Sequence, residues 1–141
     1  MITIKIIEAK NLPILNNHLR KTIISCFSFS SYRYFYGSFK NKKKTTNPQW
    51  NLEFNIDLFR LIDLKFSLSG YRYSKDDFQI GQVEINFINF ISSPPGNQII
   101  TNMGIPFQLD FPIASCTSPN SLLTLSFTLN QQIYPPIQFN P

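Results

Sequence analysis

The sequence predicts an all-β fold, a single sandwich of about eight short antiparallel strands. Three observations carry that prediction. After the polar turn Thr45-Thr46-Asn47-Pro48, Trp50, Leu52, Phe54 and Ile56 alternate with Asn51, Glu53, Asn55 and Asp57. A period of two places one face in a core and the other in water. Comparable runs recur at regular spacing, with no sustained helical repeat between them. Finally, the chain has 14 Phe and 6 Tyr among its 141 residues, and these residue types favour a pleated, half-buried surface.

Each element follows from its local pattern. Ile2 to Ala9 alternates well enough for a first strand, with Ile2, Ile4 and Ile6 on one face, and Lys10-Asn11-Leu12-Pro13 ends it. A polar connection runs through Asn16, Asn17, His18, Leu19, Arg20 and Lys21. The second strand is expected from about Thr22 to Phe29, and the third from Tyr32 to about Lys42. Proline cannot donate to a ladder, so Asn47-Pro48 is a corner, and the tryptophan strand follows it. Leu61 to Leu68 gives a fifth strand. Ser69 to Asp77 is a polar loop, and Ile80 to Phe87 forms the sixth strand. Asn89 to Asn102, with its Ser-Pro-Pro-Gly sequence, is expected to be a mobile surface loop. Ile105 to Leu109 forms a short seventh strand that Pro106 confines to an edge. Phe111 to Asn120 is a polar loop, and Leu123 to Leu129 alternates as the closing strand. Residues 1–130 therefore make one sandwich domain, and residues 131–141 a proline-rich, extended tail.

Composition narrows the function classes. A hydrophobic share of 43% with 15% charged residues describes a globular chain. A net charge of +5 makes acidic surfaces plausible partners. Two cysteines, Cys26 and Cys116, share no metal-like spacing and form at most one bridge, which fits a reducing, cytoplasmic compartment. The chain opens directly in strand-like alternation, so no leader segment is expected, and no apolar run approaches the roughly 20 residues of a membrane span. The expectation is a protein that is soluble or peripheral to a membrane or cytoskeletal assembly.

Taken together, the chain resembles the C2 domain family. Four stretches carry the likeness: "IKIIEAKNLP" from Ile4 to Pro13, "KKKTTNPQWNLEF" from Lys42 to Phe54, "SKDDFQIGQVEI" from Ser74 to Ile85, and the position of the last strand. The resemblance covers roughly the first 130 residues and implies an eight-stranded antiparallel Greek-key β-sandwich. Calcium-binding members converge several aspartates in apical loops, because a hard cation needs multiple, mostly anionic, oxygen ligands. Here those positions fall near Asn16, Thr22 and Ser69 to Tyr73, leaving Asp76 and Asp77, which are insufficient for a metal site. Arg20, Lys21, Arg72 and Lys75 would also repel a divalent cation. The pair Asp76-Asp77 reads as turn chemistry before a strand. No metal and no cofactor are expected.

Two surfaces are candidates for binding. Lys40, Lys42, Lys43 and Lys44 form a basic run, and on an extended strand Lys40, Lys42 and Lys44 point the same way as Tyr34 and Tyr36. The resemblance implies a lysine-rich patch that takes phosphoinositide without calcium, with Tyr36 and Asn51 as further contacts. The plain alternative is a solvated turn whose charges meet Glu53 and Asp57 on the neighbouring strand. The second surface is the aromatic set Tyr32, Tyr34, Phe35, Tyr36 and Phe39. Large rings on both faces of one strand suggest a protein interface, with Tyr134, Pro135 and Pro136 of the tail as further candidates; the plain alternative is a sandwich that uses tyrosine as its outward amphipathic residue.

Enzymatic readings find little support. His18 is the one histidine, and it has no visible orienting partner. No phosphate loop or nucleotide fingerprint is present. Basic and aromatic residues interleave over 32–44, but no recognised nucleic-acid motif accompanies them. The expectation is a non-enzymatic, calcium-independent docking module, serving as a structural or adaptor subunit through protein–protein contacts in a larger assembly. The alternative is a peripheral membrane module that binds anionic phospholipid through the lysines.

Overall fold

The structure is a computed structural model, and it describes residues 1–12, 23–31, 34–41, 45–72, 76–114 and 120–130. Eight strands form two four-stranded antiparallel sheets. They are β1 (Ile2–Lys10), β2 (Ile23–Ser31), β3 (Tyr34–Lys40), β4 (Gln49–Ile56), β5 (Asp63–Arg72), β6 (Asp76–Asn86), β7 (Phe107–Pro112) and β8 (Leu122–Leu129). One sheet has the order β4-β1-β8-β7 and the other β3-β2-β5-β6. Consecutive strands change sheet four times, and this cross-winding lets both sheets close on one core. The predicted sandwich is the observed one.

Strand periodicity explains the core. Ile2, Ile4 and Ile6 of β1 and Leu123, Leu125 and Phe127 of β8 are fully buried. A register shift in β1 between Ile6 and Glu8 then turns Ala9 inward and keeps the Glu8 carboxylate near solvent. From the other sheet come Phe29, Leu64, Phe66 and Leu68, all fully buried. Phe29 stacks on Phe66 with ring centroids 4.7 Å apart and meets Phe54 of the facing sheet edge-on at 5.4 Å. Such ring pairs add about 0.5–1.5 kcal/mol each beyond the area they bury.

The alternation in β4 is observed as predicted, with Trp50, Leu52, Phe54 and Ile56 more buried than the residues between them. Three expectations need correction. The stretch from Asn89 to Asn102 is not an irregular loop. It continues α1 (Phe87–Ser92) and contains α2 (Gln98–Thr101), with Phe87 and Ile99 buried. Neither helix completes two turns, so no 3.6-residue repeat could show in the sequence. The Asn86 side chain caps α1 by accepting the Asn89 N–H at 3.2 Å. Phe90 reaches Phe111 at 5.6 Å and Phe127 at 5.4 Å, closing that end of the sandwich. Gly96 lies so close to this helix that a Cβ there would collide with the Phe90 carbonyl.

The second correction concerns the polar loop expected from Ser69 to Asp77. The β5–β6 ladder runs on, pairing Tyr71 with Asp77 and Arg72 with Asp76, so the two aspartates belong to a strand rather than a turn. The third concerns Phe111, expected in a loop. It ends β7 beside Pro112, and β7 is an edge strand, as Pro106 implied.

Candidate functional site

Hydrogen-bond registers divide the sandwich into two ends. At one end, here called apical, β1 finishes, β4 begins and β3 finishes. The backbone N–H of Ala9 donates to Pro48 O at 3.0 Å and that of Leu12 to Thr46 O at 2.9 Å. The Asn11 N–H donates to Asn47 Oδ1 at 2.9 Å. Trp50 Nε1 donates to Phe39 O at 3.1 Å and Asn41 Nδ2 to Gln49 O at 2.6 Å. These last two bonds tie β3, an edge of one sheet, to β4, an edge of the other. Lys40 and Asn51 follow the bonded pair Phe39 and Trp50, and both are exposed. Asn51 has φ 51° and is the extra residue where two positions of β4 oppose Ile7. Asparagine tolerates that left-handed conformation better than most residues.

The shared face expected for Lys40 and Tyr36 is not observed. Phe29 pairs with Gly37 and Ser30 with Phe35, so Tyr36 is an inserted bulge residue on β3. Beyond the bulge the alternation is reset. Lys40 faces solvent, while the Tyr36 ring stacks on buried Phe29 at 4.8 Å. The Tyr36 hydroxyl is buried and has no hydrogen-bond partner among the described residues. Burial pushes its pKa above the usual tyrosine value, opposed by nearby Arg60. Gly37 makes the bulge possible: it has φ +135°, and a Cβ there would sit 2.8 Å from the Phe39 ring. Nor does Glu53 lie on a strand paired with that of Lys40, because β4 pairs with β1, where Lys5 is opposite Glu53, and β3 pairs with β2. Lys42, Lys43, Lys44 and Tyr32 lie outside the described residues. So do Cys116, Tyr134, Pro135 and Pro136, and residues 13–22 and 73–75. Among the described residues no three His, Cys, Asp or Glu side chains gather as a metal-holding group.

The opposite, basal, end has a different character. Here β1 begins, β4 and β6 end, and α1 and α2 lie. All nine large hydrophobic residues that are exposed among the described ones belong to it: Met1, Tyr34, Phe35, Leu58, Ile62, Ile88, Ile100, Met103 and Ile105. They fall into two groups. Around the start of β3, Phe35 is 67% exposed, and the Arg60 guanidinium lies 4.8 Å from the centre of the Tyr34 ring. The Ser31 hydroxyl donates to Arg60 O at 2.8 Å, fixing the short helical turn Leu58–Arg60 beside that strand. The second group, Ile88, Ile100, Met103 and Ile105 with Met1, surrounds α1 and α2. The sequence expectation reached Tyr34 and Phe35 but missed the others. The available signal was that residues 87–106 contain no Asp, Glu, Lys or Arg.

A groove of about 600 Å³ runs along β5 and β6, lined by Ser30, Asp63, Lys65, Glu84 and Asn86 among others. Lys65 and Glu84 pair across it at 3.8 Å. No helix among the described residues is long and apolar enough to cross a membrane.

Comparison with known proteins agrees with this architecture. The family model described as C2 domain matches residues 1–101. No curated protein matches the sequence. Among solved structures, the two calcium-bound C2 domains, A and B, of Extended-Synaptotagmin 2 superpose with a TM-score of 0.60 at 16% identity, covering 90% of this chain and 40% of that one. The first C2 domain, domain A, of plant Extended Synaptotagmin 1 gives 0.55 at 16% identity, covering 92% of each chain. Human GIVD cytosolic phospholipase A2 gives 0.62 at 16% identity, covering 94% of this chain and 16% of that one. The chain thus spans well under two thirds of the first and third of these proteins, and the likeness to all three is one of fold. With the family match over most of its length and the sandwich closed by β7 and β8, this chain belongs to the C2 domain family.

Proposed function

We propose that this C2 domain is a non-enzymatic docking module, acting without calcium as a structural or adaptor subunit that binds another protein. One observation carries the reading: among the described residues the exposed large apolar side chains lie at the basal end, and around β3 they include aromatic rings with an arginine beside them. Tyr, Phe and Arg are enriched at protein interfaces, and a contiguous apolar patch is uncommon on a surface that meets only water. Tyr34, Phe35, Leu58 and Ile62 form the contact, with Arg60 holding Tyr34 in place. The docking surface is therefore a corner of the sandwich, at the end away from the loops where family members hold calcium. No cofactor enters this reading.

The experiment is site-specific photo-crosslinking in cells, with a benzophenone amino acid at Phe35 and, for comparison, at Lys40. Discrete protein adducts from position 35 that persist with a chelator and disappear with Ile62→Asp are expected. A second reading rests on Lys40, which faces solvent at the apical end and would belong to a lipid-binding lysine patch. Adducts to phospholipid from position 40, with none to protein from position 35, would make that reading the primary one.

A further inference from the structure

We propose that the tail of the chain, residues 131–141, docks in cis on the apolar platform formed by Met1, Ile88, Ile100, Met103 and Ile105. This surface is distinct from the Tyr34–Phe35 corner, and the inference does not depend on that corner's partner. The platform side chains are 42–60% exposed, and the segment that supplies most of them, residues 87–106, is free of charge. The tail matches it in kind. Gln131 to Pro141 has no Asp, Glu, Lys or Arg either, and it offers Ile133, Tyr134, Pro135, Pro136, Ile137 and Phe139.

The exit point places the two together. The Asn130 N–H donates to Met1 O at 3.1 Å, and its Nδ2 donates to Thr3 Oγ1 at 2.9 Å. One residue earlier, Leu129 O accepts the Gly104 N–H at 2.8 Å, so the tail leaves β8 beside Met103 and Ile105. Extended at about 3.1 Å per residue, residues 131–141 reach about 34 Å. One sheet of four strands is roughly 14 Å across, and its partner lies roughly 10 Å away. The tail is long enough to cross the whole platform. A short tether also gives an effective concentration on the order of a millimolar. An apolar segment with a dissociation constant of roughly 0.1 mM would then be docked about ten times as often as free. Prolines stiffen it and reduce the entropy lost on docking.

The test uses the full chain with labelled Ile and Met methyl groups. Contacts by NMR between the Tyr134 and Phe139 rings and the methyls of Ile100, Met103 and Ile105 are expected. Tyr134→Ala with Phe139→Ala should move those methyl signals, leave those of Ile2 and Ile4 in place, and speed amide exchange over 98–105 about tenfold. Ile105→Lys should release the rings from Ile100 and Met103 without altering the tail. Unmoved platform methyls in the double variant would overturn the proposal. Ring-to-methyl contacts seen only between differently labelled molecules in a mixture would overturn it too, since the occupant would then be a second copy.

Discussion

The backbone N–H of Asn11 donates to the side-chain oxygen of Asn47 across 2.9 Å, although 36 residues separate them. Asn11 ends β1 with φ 56°, and Asn47 opens the corner that leads into Trp50. On either side, Ala9 and Leu12 donate to Pro48 and Thr46. The Ser121 hydroxyl donates to Asn11 O at 2.5 Å, and Asn11 Nδ2 to Asn120 O at 3.3 Å. Three distant segments therefore meet at one asparagine. The described parts of two stretches that carry the family likeness, residues 4–12 and 45–54, are here a single joint.

Replacing Asn47 by Ala should therefore cost about 1 kcal/mol, the usual net worth of such a bond. For a domain of this size that is a fall of about 2–4 °C in Tm. Asn47→Asp keeps the acceptor and should recover most of the loss. Thermal unfolding followed by circular dichroism measures both variants. Equal destabilisation by Ala and Asp would show that the bond to Asn11 is not what holds the corner.

Trp50 makes the corresponding joint between the sheets. Trp50→Phe keeps an aromatic ring in β4 but removes the donor to Phe39 O and some packed volume. A loss of about 1–3 kcal/mol is expected, with an unchanged denaturant slope because the same surface is exposed on unfolding. A urea titration followed by circular dichroism tests it. A stability equal to that of the unaltered chain would remove the Trp50–Phe39 bond from the account of how the two edges are held.

Regular strands were legible because burial and period coincide in them. In β4, Trp50, Leu52, Phe54 and Ile56 name the inner face outright. The bulge at Tyr36 was not legible, since one inserted residue reverses every later assignment on the strand. Tyr36 and Lys40 therefore parted to opposite faces. Gly37 was the visible clue, because glycine inside a strand often marks a bulge. The basal platform was hidden for a different reason. Ile88, Ile99 and Ile100 sit in helices shorter than two turns, where only three-dimensional packing decides that Ile99 is buried while its neighbour Ile100 is exposed.

Tyr36 should make stability depend on alkaline pH. Its hydroxyl is buried, so the folded chain holds the proton above the ordinary value of 10.0. Between that value and the raised one, the unfolded chain binds fewer protons than the folded one. Stability is then fully present below the ordinary pKa and declines as pH rises through the folded pKa. Tyr36→Phe should be neutral or more stable by up to about 1 kcal/mol at neutral pH, as it removes an unpartnered buried group. It should also flatten the decline. Urea midpoints measured on either side of pH 10, compared between the two proteins, decide this. Parallel curves would mean that the hydroxyl reaches solvent.

Phe35 and Phe29 should behave as opposites. Phe35 is 67% exposed, so Phe35→Ser should stay within about 0.5 kcal/mol of the original stability while abolishing protein adducts from a benzophenone amino acid placed at neighbouring Leu58. Phe29 is fully buried between Tyr36, Phe54 and Phe66, and Phe29→Ala should cost about 3–5 kcal/mol. A large loss of stability with Phe35→Ser would mean that this ring supports the fold and is not a docking contact.

The two ends should also separate in a liposome assay. A cation near an anionic leaflet is worth about 1 kcal/mol, so Lys40→Ala should weaken any phosphoinositide attachment about fivefold. That attachment should fall with salt and ignore a chelator. Ile62→Asp lies at the other end and should leave it unchanged while removing protein contacts. Co-sedimentation with and without phosphoinositide, salt, calcium and chelator measures each of these effects on lipid attachment. If Ile62→Asp abolished sedimentation and Lys40→Ala did not, the basal apolar surface would be the membrane-facing one, and the corner at Tyr34 and Phe35 would lose its role in protein docking. Sedimentation that required calcium would place acidic ligands in the apical loops and end the calcium-independent reading.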